Sequence, residues 1–163
     1  MRPFVLTSHA DRAVLSDGGG AATVLACGPA LLAARHWPHT RPTPLQMERA
    51  IDDVEAAIEQ TALVQAPRGC LILDETLSGL LAPVLDRGTT VSLDEVERAF
   101  SALVSAAQRG PGVGTADALQ GVRAAALLML RELMHHLGFQ SLMGAADFPT
   151  ALPTIPRKET PCP

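Results

Sequence analysis

Apolar residues recur at three- and four-residue spacing in three long stretches of the chain. In the first, Met47, Ala50, Ile51, Val54, Ala57 and Ile58 fall on one side of a helical wheel, while Arg49, Asp52, Asp53 and Glu59 fall on the other. Thr43 can accept a hydrogen bond from a free helix donor and Pro44 needs no N–H at the first helical position, so this helix is predicted from about residue 43 to about Ala62. In the second stretch Ser92-Leu93-Asp94-Glu95 reads as a capping box, followed by the stripe Val96, Ala99, Phe100, Leu103, Val104 and Ala107. The third opens at Thr115 or Asp117 and runs to about Leu137, with Gly138 as its stop. Its middle, Ala124 to Leu130, is apolar nearly all round, which demands burial on every side or pairing with another subunit.

Shorter apolar runs lie between these helices. Pro3–Leu6, Ala13–Leu15 and Thr23–Ala26 precede the first helix, and Asp17-Gly18-Gly19-Gly20 separates the last two as a hairpin turn. Cys70–Leu73 suits a strand or a buried turn. Asp74 caps a short helix carrying Leu77, Leu80 and Leu81, which Pro83 interrupts and Asp86-Arg87-Gly88 ends. After Phe148 the prolines at 149, 153, 156, 161 and 163 preclude a packed element. The expected architecture is therefore mainly α (α+β), with about four packed helices and a small N-terminal β hairpin. Residues 1–148 are expected to form one globular domain and 149–163 an extended or disordered tail.

Composition narrows the partners. Of 163 residues 47% are hydrophobic and only 3% aromatic, so the core must be built from Leu, Ala, Val and Met. The formal net charge is −4, the only lysine is Lys158, and the arginines are scattered singly among acids. That distribution argues against a nucleic-acid partner. The longest apolar run, Ala21–Ala34, is broken by Gly28-Pro29 and falls short of the ~20 residues that span a bilayer. With no secretory pattern at the N-terminus, a soluble, cytoplasmic protein without a membrane partner is expected. Cys27, Cys70 and Cys162 are odd in number and far apart, which argues against a disulfide framework.

Few residue groups carry the spacing of a chemical site. His36 and His39 precede the first long helix, while Glu132, His135 and His136 crowd the end of the last. Glu132 and His135 have the i, i+3 spacing of carboxylate-bridged di-metal sites, but the second such motif is absent. A single divalent ion such as zinc, shared between the two groups, is the less demanding form. Against this, the helix dipole favours histidine at a C-terminus, and His136 lies one turn after Glu132 and can simply pair with it. Cys27-Gly28-Pro29-Ala30 has the form of half a thioredoxin motif, but lacks the second cysteine and its strand–helix context, so Cys27 reads as a small buried hydrophobe. Gly110-Pro111-Gly112-Val113-Gly114 lacks the Lys-Ser/Thr ending of a phosphate-binding loop. Ser8, His9 and Asp11 lack a Gly-x-Ser-x-Gly turn and read as loop polarity.

With no connected catalytic set, the expected function is a non-enzymatic interaction or assembly module acting as a homodimer. Its interface is expected on Ala124, Leu127, Leu128, Met129 and Leu130. Two other readings stand beside it. One is a small metal-dependent enzyme or metal sensor using the paired histidines, and the other a small-molecule-binding domain with an apolar pocket.

Overall fold

The computed structural model describes residues 3–38, 41–85, 90–109 and 118–147. His39, the expected stop at 86–88, the glycine-rich connector and the expected tail at 149–163 lie outside or almost wholly outside these residues.

The elements run β1 (Phe4–Ser8), β2 (Ala13–Asp17), β3 (Ala22–Leu25), α1 (Pro29–His36), α2 (Pro44–Glu59), β4 (Arg68–Leu73), α3 (Glu75–Leu81), β5 (Val91–Ser92), α4 (Leu93–Gln108), α5 (Ala118–Leu137) and β6 (Phe139–Gly144), followed by a 3₁₀ turn at Ala145–Asp147. The strands form one six-stranded sheet in the order β3-β2-β1-β4-β6-β5. β1, β4 and β6 are mutually parallel, β1-β2-β3 is an antiparallel meander, and β5 runs antiparallel on the far edge.

This α/β arrangement corrects the expectation of four packed helices beside a small hairpin. The predicted hairpin exists as β2–β3, but it is the edge of a larger sheet. Three elements were not legible, among them the two-residue strand β5. α1 starts at Pro29 within a stretch that reads as a broken apolar run, and β6, Phe-Gln-Ser-Leu-Met-Gly, has no β-branched residue to mark it as a strand. The pairing of β1 with β4 and of β4 with β6 joins segments remote in sequence, which local periodicity does not report.

The three amphipathic helices begin where their capping chemistry places them. Thr43 accepts from the Gln46 N–H while the Gln46 side chain accepts from the Thr43 N–H, and Ser92 and Glu95 repeat the arrangement at α4. Asp74 accepts from the Leu77 N–H at the start of α3. α5 ends at Gly138, whose φ of +82° suits glycine, and a Cβ there would lie 2.2 Å from the Ala66 carbonyl oxygen.

α5 is the centre of the molecule. It packs against α1, α2, α3 and α4 and leads into β6. Ala125, Ala126, Leu128, Met129, Leu130 and Met134 are completely buried within a single chain, and Ala124 and Leu127 nearly so. The apolar girdle expected to pair with a second copy is covered by the chain's own helices. The five side chains named as a dimer interface, Ala124, Leu127, Leu128, Met129 and Leu130, therefore offer almost no surface to a partner.

The register sorts the sheet residues by face. Leu6 lies beside Leu15 and Leu73, Leu71 beside Leu142, and Ala13 beside Leu25. All of these join the helices in one core. By alternation the other face carries Val5, Val14, Val24 and Met143, none of which belongs to that core.

Candidate functional site

Open sheets with parallel strands bind ligands outside the carboxyl ends of those strands. Here those ends are Ser8 of β1, Asp74 after β4, and Gly144 of β6. The turn joining β1 to β2, His9-Ala10-Asp11-Arg12, is closed by a 2.9 Å bond from the His9 N–H to the Arg12 carbonyl. It rests on the N-terminus of α1, where the Leu31 N–H donates to the Ala10 carbonyl. The approach is so close that a Cβ on Gly28 would sit 2.7 Å from the His9 carbonyl oxygen and 2.8 Å from the Arg12 nitrogen. The Asp74 carboxylate accepts from the Ser8 N–H at 2.7 Å with one oxygen and from the Leu77 N–H at 2.8 Å with the other. His9, Asp11 and Arg12 are exposed on this end of the sheet, with Arg12 paired to Asp11 at 3.2 Å. These residues, read from sequence as loop polarity, are the ones the topology brings to the strand ends.

A second polar cluster lies at the opposite end, where α5 runs into β6 beside the first residue of β4. His136 Nε2 lies 3.1 Å from Glu55 Oε1 on α2 and 3.6 Å from Glu132 Oε2 one turn earlier on α5. One ligand atom from each of Glu55, Glu132 and His136 falls within 4.8 Å of the other two, the spacing a metal ion requires. Glu132 is only 3% exposed, and Arg131 donates to its Oε1. Next to this trio Arg131 also bonds Glu97 at 3.1 Å and lies over the Phe100 ring, while His135 pairs with Glu97 rather than with Glu132. Burial pushes the Glu97 carboxyl up, but the hydrogen bond from His135 and the charges of Arg131 and His135 outweigh it and hold it below the usual range.

The two histidine groups do not share a site. His36 bonds Asp53 at 2.8 Å, and Asp53 also accepts from Arg35 at 2.7 Å. His36 is thus tied to the outer side of α2, and His39 lies outside the described residues. Of the five residues expected to ligate metal, Glu132 and His136 converge. Their third member, Glu55, was not legible because it stands 81 positions from His136.

Cys27 is buried behind Asp53. Burial first, and then the Asp53 charge, push its thiol up to about 11, so it is held as the unreactive thiol rather than the thiolate. A groove of about 320 Å³ between α4 and α5 is walled by Ala99, Leu103, Ala107, Gly121, Ala124 and Leu127, with Arg41 and Arg123 at its rim. Leu127 of α5 lines this groove, while Met129 and Met134 of the same helix lie in the core.

No protein-family model matches the chain, and no curated protein does. Solved structures do. The PPX-GPPA enzyme of Aquifex aeolicus superposes with a TM-score of 0.66 at 14% identity, over 88% of this chain and 53% of that one. This is a Ppx/GppA-type fold. An exopolyphosphatase-like protein aligns over 88% of this chain and 55% of its own at 14% identity, with a TM-score of 0.62. An exopolyphosphatase of Cytophaga hutchinsonii aligns over 88% and 52% at 12% identity, with a TM-score of 0.56. The chain spans about half the length of the structures it matches.

The Ppx/GppA-type fold corrects the functional expectation. The non-enzymatic assembly module rested on a helical architecture with an exposed apolar helix. Neither is present, and the structures that share the fold include a Ppx/GppA phosphatase and an exopolyphosphatase. Among the described residues no helix is long and apolar enough to cross a membrane.

Proposed function

We propose that the chain is one half of a phosphohydrolase whose substrate is a chain of phosphates. The observation that carries this reading is the shared fold, which extends over 88% of the chain in enzymes of the exopolyphosphatase kind. The strand ends supply the matching chemistry. Arg12 and His9 stand exposed where a polyanion would approach, and Arg12 can offer paired donors to phosphate oxygens. Ser8 and Asp74 are positioning residues: the carboxylate fixes the end of β1 and the start of α3 in one geometry. Two backbone donors here are already used: the Leu31 N–H by the Ala10 carbonyl and the Ser8 N–H by the Asp74 carboxylate. We infer too that any bound cation is a divalent ion of the zinc class, held at Glu55, Glu132 and His136.

Titration with tripolyphosphate, followed by backbone amide resonances, tests the substrate reading. Saturable shifts clustered at residues 8–12 and 74–77, reduced by Arg12→Ala, are expected. Shifts confined to other surfaces, or none at millimolar polyphosphate, would remove it.

A further inference from the structure

The Glu55, Glu132 and His136 trio sits at the opposite end of the sheet from the strand ends just described, since His136 immediately precedes β6 and the first residues of β4 and β6 are paired. A cation there cannot touch substrate at the carboxyl ends. From this we infer that the trio is a structural metal site that ties the last turn of α2 to the last turn of α5. The inference takes its cation class from the reading above but not its substrate.

Three observations support it. Ligand atoms each about 2.1 Å from a tetrahedral zinc lie roughly 3.4 Å from one another, and the His136 Nε2 separations of 3.1 and 3.6 Å bracket that value. The Glu132 carboxylate is almost fully buried, and its Oε1 receives a hydrogen bond from Arg131. Its Oε2 faces His136 Nε2 at 3.6 Å. A carboxylate this deeply buried is costly unless cationic groups meet it. Finally, Glu55 and His136 are about two-fifths exposed, so an ion has a path from solvent and the remaining position can take water. The trio holds two carboxylates beside the single guanidinium of Arg131, and a divalent ion would offset the excess negative charge. Glu97 and His135, paired with each other on the far side of Arg131, are the adjoining charged groups and contribute no ligand.

The experiment is calorimetric titration of the full chain, stripped of metal, with Zn²⁺ at pH 7.5, alongside thermal melts. One ion per chain and a higher melting temperature with zinc are expected. His136→Gln and Glu55→Gln, both at exposed positions, should each weaken affinity at least about tenfold, while Glu97→Gln should leave it unchanged. Glu132→Gln should behave like His136→Gln if it folds, as judged by circular dichroism. The visible spectrum of the Co²⁺ form should show a four-coordinate band that His136→Gln removes. Absence of saturable binding by the folded wild-type chain would overturn the proposal. So would binding that survives His136→Gln and Glu55→Gln together. Neither result bears on the polyphosphate titration, so the two readings fail separately.

Discussion

Asp74 and Ser8 are joined by a 2.7 Å hydrogen bond across 66 positions of sequence. With its other oxygen the same carboxylate caps α3. One side chain thus locks the carboxyl end of β1 to the element that follows β4. Asp74→Ala removes a helix cap, worth about 1 kcal/mol, and leaves the half-buried Ser8 N–H without its partner, worth about 1 kcal/mol more. A loss of about 2 kcal/mol in denaturant unfolding is expected. Asp74→Asn retains acceptor capacity and should cost less than Asp74→Ala.

Gly28 holds the β1–β2 turn against α1 by having no side chain. In Gly28→Ala the new methyl would meet backbone atoms of His9 and Arg12, which cannot swing aside as a flexible side chain would. The turn must move or the helix must shift, at about 1–3 kcal/mol. Amide resonances of residues 9–12 should move in this variant even where it stays folded. Unchanged resonances there would mean that the turn is not seated on α1 as described.

Leu128 discriminates between burial and association. It is fully buried in one chain, so Leu128→Glu should unfold the protein rather than dissociate an assembly, and Leu128→Ala should cost about 2–5 kcal/mol. Circular dichroism and light scattering read together decide the matter. A folded Leu128→Glu protein of lower mass than the wild type would restore the interface assignment.

Cys27 gives a pH-dependent test. Its thiol is raised from an ordinary 9.0 to about 11 in the folded chain. The unfolded thiol therefore ionises first, the unfolded state binds fewer protons, and stability falls as pH rises from 9 towards 11. Cys27→Ala should show a shallower decline over that window in urea midpoints. In the native protein at pH 8, alkylation of Cys27 should be far slower than after unfolding, as peptide mass analysis would show.

The parts of the fold that were legible in sequence are those set by local chemistry. The capping boxes at Thr43 and Ser92 and the stripes behind them marked α2 and α4, and Gly138 marked the end of α5. The sheet was not legible as a whole, because its defining contacts join Leu6 to Leu73 and Leu71 to Leu142, and no local pattern reports a parallel neighbour. α5 shows the same gap from another side. Its all-round apolar surface correctly demanded cover, but sequence does not say whether that cover comes from four helices of the same chain or from a second copy. At the metal cluster Glu132 and His136 were legible through their one-turn spacing. Glu55 was not, since only the packing of α2 on α5 brings it there. The pairing of His36 with Asp53 was not legible either, since the two stand 17 positions apart on different helices.

The position of α5 also bears on how the chain matures during synthesis. The helix against which α1, α2, α3 and α4 all pack follows all four in the chain, and β6, which completes the parallel strands, follows it. Until α5 is made, Leu32, Met47, Val54 and Phe100 lack the helix at the centre of their shared core, so a nascent chain ending near residue 110 cannot complete it. Completion of the core therefore comes late, and exposure to misassociation depends on how quickly α5 and β6 follow α4.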